Sequence, residues 1–343
     1  MRIGIDCRKI ADFGIGTYIR GLLGALADLG GHQYLAFGPR TIENMLPRGV
    51  VHVLVDAPKY SIRELFTVGR NIPLDLFHAP HYVVPFLRVP FVVTIHDLIH
   101  LHHRNPLGRA YARTMIGRAV RRSRRVITVS SSVRDDVVRV FGHPEKIAVT
   151  PNGVDHVFLS RADGEGSRPE RFFASLRMTN APYFLFVGND KPHKNVDRLM
   201  EAFARITDAQ LVLAGGEFER FRNRDRVVLA GFVPQEELAI LYRGAIALVI
   251  PSLEEGFGLP ALEAMACGAP VITSTAPALI EISGDAALHV DARSIDAIAG
   301  AMTRILRDPS SRDLMVERGI DRAKNFTWRR CAELTREIYA ASF

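Results

Sequence analysis

Residues 245–274 read AIALVIPSLEEGFGLPALEAMACGAPVITS. The runs AIALVIPS and APVITS are short, apolar and rich in β-branched residues, the length of buried strands rather than of helices. Between them, Pro260 suits a first helical position and Gly268 a helix C-terminal end, so LPALEAMACG reads as a helix. Strand, helix, strand is the βαβ unit, which lays its two strands parallel and leaves the loop after the first at the carboxyl edge of the sheet. That loop carries Glu254, Glu255, Gly256 and Gly258. Glu263 is expected in the first helical turn, where its charge complements the helix dipole. A helix start with an acidic turn explains Glu263 alone, but not two glycines and Glu255 just before it.

The same alternation of apolar runs and helix-like stretches continues along the chain, which predicts an α/β fold with parallel sheets. Strand candidates in the first half are RIGIDC, HQYLAFG, VVHVLV, LDLFHA, PFVVTIH and RVITVS; in the second, YFLFVG, AQLVLAGG, RVVLAGFV, AIALVIPS, APVITS and AALHV. Each set suffices for one doubly wound sheet, and a chain of 343 residues exceeds the size at which single cores divide. The turn-forming PNGVD and the polar Gly/Ser/Arg/Glu segment after it mark the junction. The expected domains are therefore 1–155 and 156–325, with a last segment, 326–343, whose apolar residues Trp328, Cys331, Ala332, Leu334, Thr335, Ile338 and Tyr339 fall at helical spacing.

Composition narrows the function classes. Cys7, Cys267 and Cys331 are three, far apart and without a C-x-x-C pair, which argues against a disulfide framework or a cysteine zinc site and fits a reducing, cytoplasmic setting. MRIGIDCRKI reads as a strand rather than a signal peptide, and no apolar run approaches the roughly 20 residues of a membrane span. Residues 1–155 carry 21 Lys and Arg against 12 Asp and Glu, whereas residues 156–343 carry 23 against 25. The excess positive charge belongs to the first half.

Several loops after strands carry candidate chemistry. In Ala11-Asp-Phe-Gly14-Ile-Gly16-Thr-Tyr18 the glycines allow close backbone approach to a ligand and the following helix start favours phosphate; a plain tight turn remains an equal reading. His96, beside Asp97 at the end of PFVVTIH, is placed to bond a sugar hydroxyl or an oxyanion, or to act only as a loop cap. His78, His81, His100, His102 and His103 lie nearby, but their spacings match no metal motif, so no metal site is expected. The stretch from Pro106 to Val126 reads as a basic helix with Tyr111, Met115, Ala119 and Val120 towards the core. Arg109, Arg113, Arg118, Arg121, Arg122, Arg124 and Arg125 then form an exposed face, either simply solvated or facing an anionic partner such as pyrophosphate or an acidic membrane surface. No aromatic platform accompanies it, which disfavours nucleic acid. Finally, Gly188-Asn-Asp-Lys191-Pro-His193-Lys194-Asn195 follows YFLFVG, and a lysine there is placed to neutralise a diphosphate or simply to sit beside a helix cap.

Taken together these stretches resemble retaining, nucleotide-sugar-dependent glycosyltransferases of family 4. Glu255-Gly-Phe-Gly-Leu-Pro-Ala-Leu-Glu263 matches that family's E-x7-E signature, extended by Glu263-Ala-Met-Ala-Cys-Gly-Ala-Pro-Val-Ile272, Gly231-Phe-Val233, Leu241-Tyr242 and Pro251-Ser252. With the first loop, His96-Asp97 and Lys194-Asn195, the likeness covers nearly the whole chain. It implies the GT-B fold, two Rossmann-like domains facing each other across a deep cleft, the first binding acceptor, the second donor, and the last helix returning to the first.

It also implies roles. Glu263 would accept hydrogen bonds from the donor's ribose, Glu255 would contact the transferred sugar, and Gly258 and Leu259 would offer backbone N–H groups. Lys194, Gly14 and Gly16 would hold phosphates, His96 would lie near the sugar's 6-hydroxyl, and Phe232 and Val233 would border the base. His96, Lys194 and Glu255 are the catalytic candidates; no cofactor and no divalent metal is expected. The implied reaction transfers a hexose, with GDP-mannose ahead of UDP-glucose and UDP-N-acetylglucosamine, to a saccharide or lipid-linked acceptor at the inner membrane face. A non-catalytic nucleotide-sugar-binding protein, and a GT-B epimerase or phosphorylase, are the other readings. Two positions depart from the family pattern: His193 stands where many relatives have arginine, and Ala245-Ile-Ala247 replaces a common alanine-aspartate.

Overall fold

The computed structural model describes residues 1–55, 66, 68, 72–102, 105–159 and 181–342. His103 and most of the polar stretch after PNGVD lie outside the described residues. The chain divides into two compact units, one made of residues 1–153 and 326–343, the other of 154–325.

The first unit holds strands β1 (Arg2–Asp6), β2 (Gln33–Gly38), β3 (Val51–Leu54), β4 (Leu76–Ala79), β5 (Phe91–Ile95), β6 (Arg125–Thr128) and β7 (Ile147–Val149). They form one parallel sheet in the order β3-β2-β1-β4-β5-β6-β7. Helices α1 (Ile15–Leu29), α2 (Pro106–Arg122) and α3 (Ser131–Phe141) belong to it. In α1, buried Tyr18, Ile19, Leu22, Leu23 and Leu26 repeat at helical spacing and pack with Ile3, Ile5, Leu76, Val92 and Ile127 of the sheet. β7 was not among the sequence-predicted strands. It is a three-residue, half-buried edge strand, too short to carry a period-2 signal.

The second unit holds α4 (His156–Leu159), β8 (Tyr183–Asn189), α5 (Val196–Phe203), β9 (Gln210–Gly216), β10 (Val227–Gly231), α6 (Gln235–Gly244), β11 (Ala247–Ile250), α7 (Leu259–Ala266), β12 (Val271–Ser274), α8 (Pro277–Ser283), β13 (Ala287–Val290), α9 (Ile295–Arg307) and α10 (Pro309–Ala323). Its sheet is also parallel, in the order β10-β9-β8-β11-β12-β13. Phe184, Phe186, Leu211, Leu213, Val249 and Ile272 of the sheet pack with Leu199, Phe203, Ile298 and Met302 in its core.

The last helix, α11 (Trp328–Ala340), packs on α1. Its indole lies where a side chain on Gly21 would stand, and its first backbone nitrogen lies where a Cβ on Gly153 would stand. Trp328, Cys331, Ala332, Thr335, Ile338 and Tyr339 are buried. Tyr339 is also tied by its hydroxyl to His78 Nδ1 at 2.7 Å.

In each sheet the strand order reverses once, between β1 and β4 in the first unit and between β8 and β11 in the second. Loops leaving the carboxyl ends of such a pair run to opposite sides and open a crevice, where α/β sheets bind ligands. The loops after β8 and β11 carry Lys194 and Glu255; those after β1 and β4 carry Gly14 and His81.

Candidate active site

In the second unit the switch point joins residues far apart in sequence. Lys194 Nζ donates to Glu255 Oε1 at 2.7 Å, and Ser252 Oγ donates to the same oxygen at 2.8 Å. The two charged side chains are 20% and 11% exposed, so the pair is accessible at one edge and sheltered elsewhere. Asn195 fixes the lysine's loop. It is buried in the left-handed region (φ 61°), and its Nδ2 donates to the carbonyls of Pro251 and Ala292 at 2.9 and 2.7 Å. A second tie runs from the Leu253 N–H to the His193 carbonyl at 2.7 Å. The lysine and the glutamate thus sit on two loops bonded to each other.

Next to Glu255 the backbone turns through Gly258, whose φ of 103° only glycine adopts readily, and a Cβ there would overlap Leu279. Helix α7 starts immediately after, with Leu259 at its first position; Pro260 has no N–H, and the N–H groups of Ala261 and Leu262 donate to the Gly258 carbonyl, so the Leu259 N–H is the one that the first turn leaves for a ligand. Glu263 is not in the first turn, as expected above, but in the second: the helix begins at Leu259. It therefore turns inward instead of complementing the dipole. The side chain is buried, and Oε2 accepts from the Tyr242 hydroxyl at 2.8 Å. Burial raises the Glu263 carboxyl to about 7, despite the Tyr242 hydrogen bond, which lowers it. Phe232, 72% exposed, and half-buried Val233 follow β10 on the same carboxyl edge.

The first unit places its residues in loops after β1, β4 and the neighbouring β5. Gly14 (φ 63°) caps α1, and Gly16 is buried in the first turn. His96 Nε2 faces the Pro80 carbonyl at 3.0 Å. A nitrogen bonded to a carbonyl carries the proton, which leaves Nδ1 as the acceptor. Burial pulls this imidazole down to about 4, so it is neutral at pH 7. The Tyr18 ring stands nearly perpendicular to it, with centroids 4.8 Å apart, and the Tyr18 hydroxyl bonds Thr94 Oγ1, which bonds His78 Nε2. Asp6 is fully buried at the end of β1. Arg8 meets it through Nε at 2.8 Å and Nη2 at 2.5 Å, and His81 Nε2 through the same carboxylate at 3.2 Å. His78 and His81 are thus structural partners. Among the described residues no group of three or more His, Cys, Asp or Glu is assembled to hold a metal ion.

The arginine-rich stretch differs from its sequence reading in three ways. Helix α2 ends at Arg122, so Arg124 lies beyond it and Arg125 opens β6, where it donates to the Glu145 carbonyl at 2.8 Å. The buried stripe is Ala112, Ile116, Ala119 and Val120, while Tyr111 is 42% exposed and Met115 half-buried. The helix is rotated by about one residue from the expected face. Arg118 is also not on the solvent face: its guanidinium donates to the carbonyls of Val84 and Pro85 and stacks on Phe86 at 4.1 Å. Arg109, Arg113, Arg121, Arg122 and Arg124 remain exposed. Among the described residues, no helix is long and apolar enough to cross a membrane.

Comparison with known proteins accounts for this arrangement. Residues 14–158 match the family Glycosyltransferase Family 4 and residues 167–322 the family Glycosyl transferases group 1. O-antigen chain mannosyltransferase B of Escherichia coli is 30% identical over 283 residues, 77% of this chain and 74% of that protein. The chain is a family 4 glycosyltransferase. Its GT-B fold is shared by sucrose-phosphate synthase from Thermosynechococcus elongatus, with a TM-score of 0.80, 22% identity and coverage of 99% and 100% of the two chains. Anabaena HepE, solved in complex with UDP-glucose, is equally similar in fold, with a TM-score of 0.79, 17% identity and coverage of 99% and 100%.

Around this glycosyltransferase's predicted residues stand others to which the sequence reading gave no role. Ser252 and Asn195 hold the Lys194–Glu255 loops, Tyr242 holds Glu263, and Asp6, Arg8 and His81 brace the end of β1. Ser252, Asn195 and Tyr242 each adjoin a family motif. Their partners, however, become visible only when the strand order is known.

Proposed function

We propose that this glycosyltransferase moves a hexose from a nucleotide-sugar to a saccharide or lipid-linked acceptor with retention of configuration, and that mannose from GDP-mannose is its donor. The observation that carries the reading is the Lys194–Glu255 pair at 2.7 Å, beside the start of α7 and followed by buried Glu263. A cation near a helix start suits a diphosphate, a carboxylate suits sugar hydroxyls, and a second, buried carboxylate suits a vicinal diol. The named function of the E. coli relative supports mannose.

The two glutamates lie on different sides of a turn and a helix start, so they address different parts of one donor rather than opposing each other across one glycosidic bond, as in glycosidases. In front-face displacement the acceptor oxygen bonds the anomeric carbon as its bond to the phosphate oxygen breaks, and the acceptor proton passes to that oxygen. Lys194 and the α7 N-terminus stabilise the charge growing on the leaving diphosphate, a task that otherwise falls to a divalent ion. Neutral His96 offers Nδ1 to a sugar hydroxyl. The first unit takes the acceptor.

Calorimetric titration against GDP-mannose, UDP-glucose, UDP-N-acetylglucosamine and their nucleoside diphosphates tests the reading. GDP and GDP-mannose should bind most tightly, and transfer should persist in EDTA. Tightest binding of UDP-glucose, the ligand in the Anabaena neighbour, would reassign the base; no binding at all would leave only a scaffold, and loss of activity in EDTA would overturn the metal-free mechanism.

The same proposal places the chain in the cytoplasm, against the inner membrane face. Leu107 is 79% exposed, and with Tyr111, Arg109 and Arg113 it gives α2 both apolar and cationic side chains at the surface, the composition of a helix that lies in a membrane interface. Replacing Arg109, Arg113, Arg121 and Arg122 by serine should reduce cosedimentation with anionic vesicles, each change costing about 1 kcal/mol. Unchanged cosedimentation would confine the patch to acceptor binding or to solvent.

A further inference from the structure

Tyr242 is fully buried in α6, and its ring packs edge-on against Phe158 of α4 at 5.9 Å between centroids. The phenol points out of that apolar setting at a single group, Oε2 of Glu263 at 2.8 Å. A buried hydroxyl with one carboxylate oxygen as partner constrains both side chains, since neither has a second geometry that satisfies its hydrogen bond. We propose that Tyr242 is a positioning residue of the donor site, anchoring one oxygen of Glu263 so that the other faces the ribose diol of the bound nucleotide. The proposal rests on the reading of Glu263 as a nucleotide contact given above.

The surroundings make this hydrogen bond matter. Asp155, before α4, adds a like charge that raises the Glu263 carboxyl further, while its own Oδ2 accepts from Gln235 at 2.6 Å. Cys267, which caps the end of α7, is the other titratable neighbour; burial pushes its thiol up to about 12, while the Arg243 charge lowers it. Apolar groups pack around α7 elsewhere, with Val316, Gly319 and Ile320 of α10 beside Met265 and Gly268, and Leu279 of α8 beside Gly258. Tyr242 is therefore the group that opposes desolvation at Glu263, and a diol donating two hydrogen bonds prefers the anion. Nucleotide affinity should fall as pH drops through about 7, with proton uptake by Glu263 competing with the ligand.

The test is the pH profile of nucleoside diphosphate Kd for the parent protein, Tyr242→Phe, Glu263→Gln and Phe158→Leu, each checked for folding by circular dichroism. Tyr242→Phe should weaken binding about tenfold at pH 7, the effect of one lost hydrogen bond to a charged group. It should also move the midpoint of the profile to higher pH, so that part of the affinity returns at pH 9. Phe158→Leu, which disturbs the same ring without touching the hydroxyl, should leave the midpoint in place. Glu263→Gln should flatten the profile, and adding Tyr242→Phe to it should shift nothing. A parent that binds nucleotide while Tyr242→Phe keeps its Kd and midpoint overturns the positioning role alone. An equal midpoint shift in Phe158→Leu does the same, by assigning the effect to packing. A parent that binds no nucleotide removes the donor-site reading and the proposal together.

Discussion

Replacing Lys194 by alanine is expected to lower kcat/KM by about 10² to 10³, the range measured when a group that stabilises charge in the transition state is removed. Glu255→Ala should lose a similar factor, mostly in kcat, because it both contacts the sugar and holds the lysine. The two losses should not multiply. Lys194 Nζ and Glu255 Oε1 are 2.7 Å apart and sheltered, so either change leaves the other charge misplaced, and a double variant has little further to lose. Lys194→Arg should recover only part of the rate, since a planar guanidinium cannot occupy an ammonium's place against both the carboxylate and a diphosphate. Ser252→Ala removes the second hydrogen bond to Oε1 and should cost less than either. Steady-state kinetics on the five variants decides the matter: multiplicative losses in the double variant would mean that the pair does not act as a unit, and parent-like rates would remove both from the mechanism.

The largest effect on stability is expected at Asp6, which contacts no predicted substrate group. Its carboxylate is fully buried between Arg8 and His81. Asp6→Asn removes the carboxylate that meets the Arg8 guanidinium, itself 3% exposed, and breaking such a buried pair from one side costs about 3 to 5 kcal/mol. Urea denaturation should show the first unit's transition earlier by on the order of 1 to 2 M. The same group predicts an acid limb. Burial alone would raise the Asp6 carboxyl, but the hydrogen bonds and charge of Arg8, then of His81, outweigh it and hold the carboxyl well below the usual range. A depressed carboxyl contributes its stability in full above the unfolded value of about 4 and loses it as pH falls towards the folded value. The parent should therefore destabilise below about pH 4 more steeply than Asp6→Asn. Identical midpoints at pH 7, or parallel acid limbs, would show that the triad contributes little.

The sequence alone was enough for the two parallel α/β sheets, because each strand is a local apolar run and each helix a local period. It was also enough for the positions of the loops after β8 and β11, where glycine, proline and charge cluster within a few residues. It failed where the signal is short or rotational. Ile147–Val149 is too brief to register as a strand, and α2 and α7 are displaced by about a turn or less from their expected faces. Since each helical residue turns by roughly 100°, a boundary uncertain by one or two positions moves a side chain from solvent to core. Glu263 and Tyr111 are the two cases here.

What the sequence by itself determined was thus which residue types stand at the carboxyl ends of the strands and, through their ordered motifs, the family. Only the tertiary structure decided which of them meet: Lys194 with Glu255 across 61 positions, His81 with Asp6 across 75, Tyr339 with His78 across 261. The first two pairings follow from strand order, in which β8 neighbours β11 and β1 neighbours β4, and the third from the docking of α11 on the first unit. That order is set by the packing of whole sheets and their helices, a global balance of buried surface that no local pattern of residues encodes.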